Sequence, residues 1–160
     1  MRSAQSWFDE YGESHQNSTN KLIHWICVPS IFFTVIGLFY IIPNGVLLGL
    51  FEGVDEMWLH WDILLTLGGL LFYLMMSRTL FLGFLLYTSA NLWLIRYLDA
   101  QIEIGLGWWI LGIFAVAWIG QFIGHRIEGK KPSFLKDIQF LLIGPAWLMG
   151  FVYKRLGIPY

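Results

Sequence analysis

The chain has 160 residues, of which 57% are hydrophobic and only 13% are charged, and its net charge is −1. The charged share is about half of that in an average soluble domain, which excludes an ordinary soluble fold. With no basic run, the sequence gives no indication of a nucleic-acid partner. Since roughly 20 apolar residues span a bilayer as a helix, residues 1–160 are predicted to form a single membrane domain.

The first 21 residues form a polar segment that precedes the first apolar run. Asp9, Glu10 and Glu13 lie within this segment, so it does not have the composition of a cleavable signal peptide. The first apolar run is therefore expected to be a retained span. Cys27 is the only cysteine, which excludes an internal disulfide framework.

Five apolar runs follow the polar segment. They cover Leu22–Ile42, Asp62–Met76, Leu80–Tyr97, Leu106–Gly124 and Ile138–Tyr153. A further stretch, Val46–Phe51, follows the turn signal Pro43-Asn44-Gly45 and is too short to span. Because the fifth run is short and contains Gly144-Pro145, it either crosses with a tilt or is re-entrant or interfacial. We predict an all-α integral membrane bundle with four transmembrane helices in residues 22–125, then a basic loop and a non-crossing fifth segment in residues 126–160.

Positive residues predict the orientation of these spans. With four crossings, one side receives Arg2, Lys21, Arg78, Arg126, Lys130, Lys131 and Lys136, and the other receives Arg96. The excess of lysine and arginine marks the cytoplasmic side, where Lys154 and Arg155 also lie if the fifth segment does not cross. No retention signal is evident at residues 157–160, which favours a bacterial cytoplasmic membrane over the endoplasmic reticulum.

The first polar cluster spans residues 11–24 and contains two histidines. At 100° per residue, Asn17, Asn20, Lys21 and His24 share one helical face. His15 lies nine residues before His24, which on a continuous helix is the opposite side. We therefore expect His15 in an extended segment, with Asn17 or Ser18 as the helix N-cap, from which it folds back towards His24.

The second polar cluster ends the fourth apolar run. Gln121, Gly124, His125 and Glu128 are spaced i, i+3, i+4 and i+7, which places them on one stripe of a helix. Gly124 removes a side chain beside His125, so another helix or a ligand can approach closely there.

Topology predicts which histidines meet. An even number of crossings places His15, His24 and His125 on the same membrane face, with Glu128 within reach. His60 follows one crossing, so it is expected about 30 Å away as a wet interfacial residue, with Asp62 as an outer interface charge. Imidazoles with a carboxylate suit Fe(II) or Zn(II).

The polar residues of the two clusters also suit roles that involve no chemistry. Asn17, Asn20 and Gln121 suit polar packing between helices, and Glu128 suits a loop ion pair. Lys21 fits equally a snorkelling interfacial residue and a group that binds an anionic substrate.

Several function classes lack their sequence signals. The chain contains no HExxH, GxSxG or P-loop motif, which argues against the common zinc proteases, α/β-hydrolases and P-loop nucleotide-binding proteins. A transporter is expected to hold polar groups near the bilayer midplane, whereas here they concentrate at one interface, which favours an enzyme. A non-catalytic transporter or assembly protein and a zinc-dependent lipid hydrolase remain the alternatives.

The two polar clusters, with the aromatic residues before them, resemble a known family. The first motif contains Trp7, Phe8, Tyr11, His15, Asn17, Asn20, Lys21, His24 and Pro29. The second contains Gln121, Phe122, Gly124, His125, Glu128 and Pro132. Over nearly the whole chain this pattern resembles the 2-hydroxy fatty acid dioxygenases, small membrane proteins whose fungal members act in the breakdown of phytosphingosine to odd-chain fatty acids.

The resemblance implies a Fe(II)-dependent α-oxidation in the membrane. A 2-hydroxy long-chain fatty acid and O2 would give the fatty acid one carbon shorter, with release of CO2. It implies His15, His24 and His125 as iron ligands, and Glu128 as a ligand, an orienting group or a base. The remaining site residues that it implies are Lys21, which would pair with the substrate carboxylate, Tyr11, Asn17, Asn20 and Gln121.

Overall fold

The computed structural model describes residues 3–51, 53–102, 105–129 and 140–160. Within these ranges every regular element is helical, as predicted. We number the α-helices α1 Ala4–Gly12, α2 Ser18–Tyr40, α3 Gly45–Leu50, α4 Trp61–Met76, α5 Arg78–Gln101, α6 Leu106–Ile127 and α7 Ile143–Leu156; a 3-10 turn, Glu56–Trp58, precedes α4. The basic residues Arg2, Lys130, Lys131 and Lys136, and Pro132 of the second motif, lie outside the described residues.

Helix α1 was not predicted, because the N-terminal segment is polar on average. Ser3 caps it by accepting a hydrogen bond from the backbone N–H of Ser6. Ala4, Phe8 and Tyr11, at i, i+4 and i+7, are buried, and α1 packs against α7. A short amphipathic helix is thus held by its apolar stripe against the bundle.

Three helices, α2, α5 and α6, are long and apolar enough to cross a membrane. The predicted first, third and fourth spans correspond to them, with ends displaced by a few residues. Helix α4 has 16 residues, or about 24 Å at 1.5 Å per residue, which is less than the usual hydrocarbon thickness. The fourth crossing therefore stays a prediction.

Helix α7 is the described part of the fifth apolar run. Its 14 residues extend about 21 Å, which is too short to cross the hydrocarbon without help. Ile138 and Gln139, at the start of the predicted run, lie outside the described residues. Helix α7 packs against α1, α2 and α5, so it supports the bundle near the N-terminal segment.

Among the described helices, α2 and α6 make the most extensive contact, and two glycines of α6 permit their close approach. A Cβ added at Gly120 would lie 2.5 Å from Cys27 Sγ, and one added at Gly124 would clash with Asn20 Oδ1. This Gly-x-x-x-Gly pair is the small-residue spacing common between membrane helices. The contact joins the beginning of α2 to the end of α6, which carry His24 and His125.

Asp62, expected as an outer interface charge, is buried in an ion pair. Its side chain is 0% exposed, and its Oδ2 accepts a 3.0 Å hydrogen bond from Arg96 Nη1. His60 lies beside it, partly buried, and its ring stacks on Tyr40 at 5.3 Å. Asp62 is buried because a cation of α5 compensates the cost of removing its charge from water.

Candidate metal centre

Three imidazoles meet where the N-terminal segment, α2 and α6 converge. His15 lies in the linker between α1 and α2, His24 in the second turn of α2, and His125 at the end of α6. They are 2%, 1% and 7% exposed, and one ring nitrogen from each lies within 4.8 Å of the others. The side chains that the topology argument brought together are therefore neighbours in the structure.

Hydrogen bonds fix the orientation of two of these rings. His15 Nδ1 lies 2.6 Å from the carbonyl oxygen of Tyr11, and His24 Nδ1 lies 2.9 Å from that of Asn20. A carbonyl oxygen only accepts, so each Nδ1 carries the proton and each Nε2 keeps its lone pair. A backbone carbonyl in this position is the usual orienting partner of a metal-binding histidine.

The Nε2 atom of His15 is buried and has no hydrogen-bond partner among the described residues. A buried polar atom without a partner is costly, and a metal ion would satisfy it. With metal–nitrogen bonds of about 2.1 Å, three ligands on one ion lie about 3.0–3.6 Å apart, so the longest separation has to shorten by about 1–2 Å on binding. The donor set thus fits a transition-metal ion.

Aromatic side chains enclose the His15 ring. Tyr11 stacks on it with ring centroids 4.1 Å apart, and Trp147 of α7 lies at 5.3 Å. Burial lowers the pKa of His15 to about 4, although the hydrogen bond to Tyr11 acts in the opposite direction. His15 is therefore neutral at pH 7, which is the form that binds a metal.

Glu128 clamps the segment that carries His15. It caps the end of α6, and its carboxylate accepts hydrogen bonds from the backbone N–H groups of Gln16 and Asn17 and from Asn20 Nδ2, all at 2.8–2.9 Å. Partial burial alone would raise the pKa of Glu128, but these three hydrogen bonds outweigh it and the pKa is lowered. The carboxylate is ionised and both of its oxygens are engaged.

Both asparagines of the first motif have structural partners. Asn17 is the N-cap of α2, as expected, and its Oδ1 accepts hydrogen bonds from Thr19 N and Asn20 N. Asn20 is fully buried, and its Nδ2 also donates to the carbonyl oxygen of Ser14 at 3.0 Å. Together they hold the turn that folds His15 back towards His24.

A small cavity of about 30 Å³ adjoins the histidines, room for a few atoms such as one or two water molecules. Its lining residues are Tyr11, His24, Val28, Ile31, Trp118, Gln121, His125, Phe140, Leu141 and Gly144. The polar groups gather at the histidine end, whereas the α2 positions further along the helix are apolar. The cavity therefore suits a bound molecule that has a small polar group joined to an apolar part.

The predicted site residues do not all face this cavity. Gln121 and Tyr11 line it, whereas Lys21, half-buried one turn before His24, is absent from the lining. Trp147 and Gly144 of α7 were missed by the sequence interpretation, which treated the fifth segment as a non-crossing element, either re-entrant or interfacial. The run Gly144-Pro145-Ala146-Trp147 could have indicated that this segment packs against the site. Its small residues permit the close contact of Gly144 with Val28.

Comparisons with known proteins agree with the predicted resemblance. The chain is 27% identical over 159 residues to a Saccharomyces cerevisiae protein named 2-hydroxy-palmitic acid dioxygenase MPO1, covering 98% of this chain and 82% of the yeast protein. No solved structure matches the chain. The profile of the family described as 2-hydroxy-palmitic acid dioxygenase Mpo1-like matches residues 1–156. The chain therefore belongs to the Mpo1-like family.

Proposed function

We propose that this chain is a membrane-embedded, Fe(II)-dependent dioxygenase that shortens 2-hydroxy fatty acids by one carbon. The observation that carries the proposal is the convergence of three buried histidines, one with an unpartnered Nε2, in a member of this family. Three imidazole ligands leave coordination positions open for other ligands, an arrangement that suits oxygen chemistry at iron.

The overall reaction balances without an external reductant. The bond between the carboxyl carbon and C2 breaks, the carboxyl leaves as CO2, and C2 is oxidised to the new carboxyl group. The acid gives up four electrons and O2 accepts them, so the products are the shortened acid, CO2 and one water. Bound Fe(II) supplies the one-electron chemistry that lets O2 react with an organic acid.

The residues of the site have four roles. His15, His24 and His125 hold the metal, while Tyr11 and the other partners fix the histidine rings. Glu128, with Asn17 and Asn20, positions the His15 segment rather than binding the ion, since hydrogen-bond donors already occupy its oxygens. Lys21, at the rim of the site, attracts the carboxylate of the incoming substrate.

The same proposal places the site at the cytoplasmic face of the membrane. The beginning of α2 and the end of α6 lie side by side, so the chain between them makes an even number of passes. With α2, α5 and α6 long enough to cross, α4 supplies the additional pass. This arrangement supports the four-span topology, and the positive-inside rule gives its orientation; a bacterial cytoplasmic membrane is our proposed location.

The direct test combines metal analysis with product detection. We would purify the protein without oxygen, measure bound metals, and supply 2-hydroxypalmitate labelled with 13C in its carboxyl group. We expect stoichiometric iron, labelled CO2 and pentadecanoate. His15→Ala, His24→Ala and His125→Ala should lose both metal and product, whereas His60→Ala, beside Asp62 and outside both polar clusters, should keep them.

Each other outcome has a distinct meaning. Zinc bound through the same three histidines, with no CO2 released after loading with Fe(II), would favour the hydrolase alternative. A folded protein that binds no metal even after anaerobic loading with Fe(II) would exclude the dioxygenase and leave a packing or transport role.

A further inference from the structure

Gln121 presents a buried acceptor to the cavity beside the histidines. It lies one turn before His125 on α6 and is 9% exposed. Its side chain lines the cavity together with His24 and His125. Its Oε1 atom is buried and has no hydrogen-bond partner among the described residues.

The neighbouring histidine on α2 cannot satisfy this oxygen. The Gln121 side chain lies within hydrogen-bonding reach of the His24 imidazole, but the Asn20 carbonyl oxygen, 2.9 Å from Nδ1, holds the ring proton on that nitrogen. The Nε2 atom therefore carries a lone pair and no proton. A buried acceptor without a hydrogen bond is costly. A bound molecule that donates a hydrogen bond to Oε1 would remove that cost.

The proposed substrate offers a single donor near its reacting end. A 2-hydroxy acid carries an ionised carboxylate at neutral pH, which only accepts hydrogen bonds, and an acyl chain, which does neither. Only the hydroxyl on C2 donates. Since a metal held by the three histidines would attract the carboxylate, the hydroxyl on the adjacent carbon would enter the cavity that Gln121 lines with His24 and His125.

We propose that Gln121 Oε1 accepts the hydrogen bond of the substrate 2-hydroxyl and thereby selects 2-hydroxy fatty acids over unsubstituted ones. The inference rests on the proposed function and adds to it a residue that sets specificity. An unsubstituted fatty acid would leave Oε1 without a hydrogen-bond donor. Sites built to hydrogen-bond a substrate hydroxyl reject analogues that lack it far more strongly than apolar pockets reject a missing methylene.

The test measures binding rather than turnover. Co(II) in place of iron gives visible absorption bands that change when its ligands change, so ligand binding can be followed without reaction. We would titrate Co(II)-loaded protein in lipid nanodiscs with 2-hydroxypalmitate and, separately, with palmitate. We expect the wild-type protein to bind the hydroxy acid about 10- to 100-fold more tightly.

Two variants separate the selective role from a packing role. Gln121→Met keeps the length of the side chain and removes the acceptor, so the preference should fall to within about threefold because binding of the hydroxy acid weakens and that of palmitate does not. Ile31 lines the same cavity, and Ile31→Met changes only the shape of an apolar side chain. This variant should therefore keep the preference for the hydroxy acid over palmitate. Binding of Co(II) should be unaffected in both variants.

Failure of this inference is distinguishable from failure of the proposed function. If wild-type protein binds Co(II) and prefers the hydroxy acid while Gln121→Met keeps the full preference, the selective role is wrong and the site stands. Loss of Co(II) from Gln121→Met would also overturn it, since Gln121 would then be a metal ligand. A wild-type protein that binds no Co(II), or whose bands respond to neither acid, would overturn both.

Discussion

The carboxylate of Glu128 accepts a 2.9 Å hydrogen bond from the backbone N–H of Asn17, which lies 111 residues earlier in the chain. Asn17 caps the beginning of α2 and Glu128 caps the end of α6. One carboxylate therefore joins the helix ends that carry His24 and His125. The linker with His15 is held at the same point, because Gln16 N also donates to Glu128.

Replacing this carboxylate should loosen the metal site without removing a ligand. Glu128→Gln keeps one acceptor oxygen but loses the charge that strengthens its hydrogen bonds. We expect a loss of about 1 kcal/mol in the free energy of unfolding, at the lower end for charged hydrogen bonds because the group is partly exposed. Metal affinity should fall about tenfold, as for other residues that orient ligands. Thermal unfolding in detergent and metal titration measure the two effects.

Glu13→Gln is the matched control, because Glu13 is an exposed carboxylate in the same N-terminal segment. It should change neither quantity. A Glu128→Gln protein with unchanged stability and no metal binding at all would instead identify Glu128 as a ligand.

Much of this arrangement could be predicted from local patterns. The Asn17 cap, the turn that returns His15 to His24, and the close approach at Gly124 follow from helix geometry and residue chemistry. The grouping of three histidines follows from counting passes through the membrane, since even and odd passes place residues on opposite faces.

Other features could not be predicted from the sequence, because they depend on which helices pack together and no local sequence pattern gives that information. Asp62 is buried only because Arg96 of another helix pairs with it. Trp147 contacts His15 only because α7 packs against α1. At a membrane interface an aromatic residue suits both the lipid boundary and the protein interior, so the sequence could not assign Trp147 to the wall of the site.

The glycine beside His125 should tolerate no larger residue. The Cβ of Gly124→Ala would clash with Asn20 Oδ1 and lie 3.3 Å from His24 Cε1. Forcing α2 and α6 apart should cost about 1–3 kcal/mol, the usual range for an overfilled interior, and should weaken metal binding. Unfolding in a graded denaturing detergent, together with metal titration, measures both changes.

Gly112→Ala provides the comparison on the same helix. A Cβ at Gly112 meets nothing within 4 Å, and alanine favours helix over glycine by up to about 1 kcal/mol. This variant should be as stable as wild type or slightly more stable. Equal destabilisation by both alanines would show that the helix backbone, and not the contact with Asn20 and His24, requires glycine.

Removal of the metal should destabilise the protein only when all three histidines of the site are present. An ion that binds only the folded state at 100 times its dissociation constant adds about 2.7 kcal/mol to the free energy of unfolding. A chelator should therefore lower the melting temperature of wild-type protein and of His60→Ala. In His24→Ala, whose site is incomplete, the chelator should have no effect. A chelator that lowers the melting temperature of His24→Ala as much as that of wild type would place the stabilising metal elsewhere.

The number of passes through the membrane can be measured with single cysteines. Cys27 is buried and is the only cysteine of the chain, so Cys27→Ala gives a background with no thiol. A membrane-impermeant thiol reagent should label Ser3→Cys and Arg126→Cys from the cytoplasmic side and Asp55→Cys from the opposite side, because α2 makes one pass and the chain from α2 to α6 makes four.

The labelling pattern discriminates between the possible topologies of α4. Labelling of Ser3→Cys and Arg126→Cys from the same side, with Asp55→Cys on the other, requires α4 to cross, although its 16 residues are shorter than the usual hydrocarbon thickness. Local thinning of the bilayer can accommodate this, because it costs only fractions of a kcal/mol per Å of mismatch. If Ser3→Cys and Arg126→Cys were labelled from opposite sides, three passes would separate His24 from His125. The two histidines could not then share a metal within one chain, so this result would contradict both the topology and the metal centre.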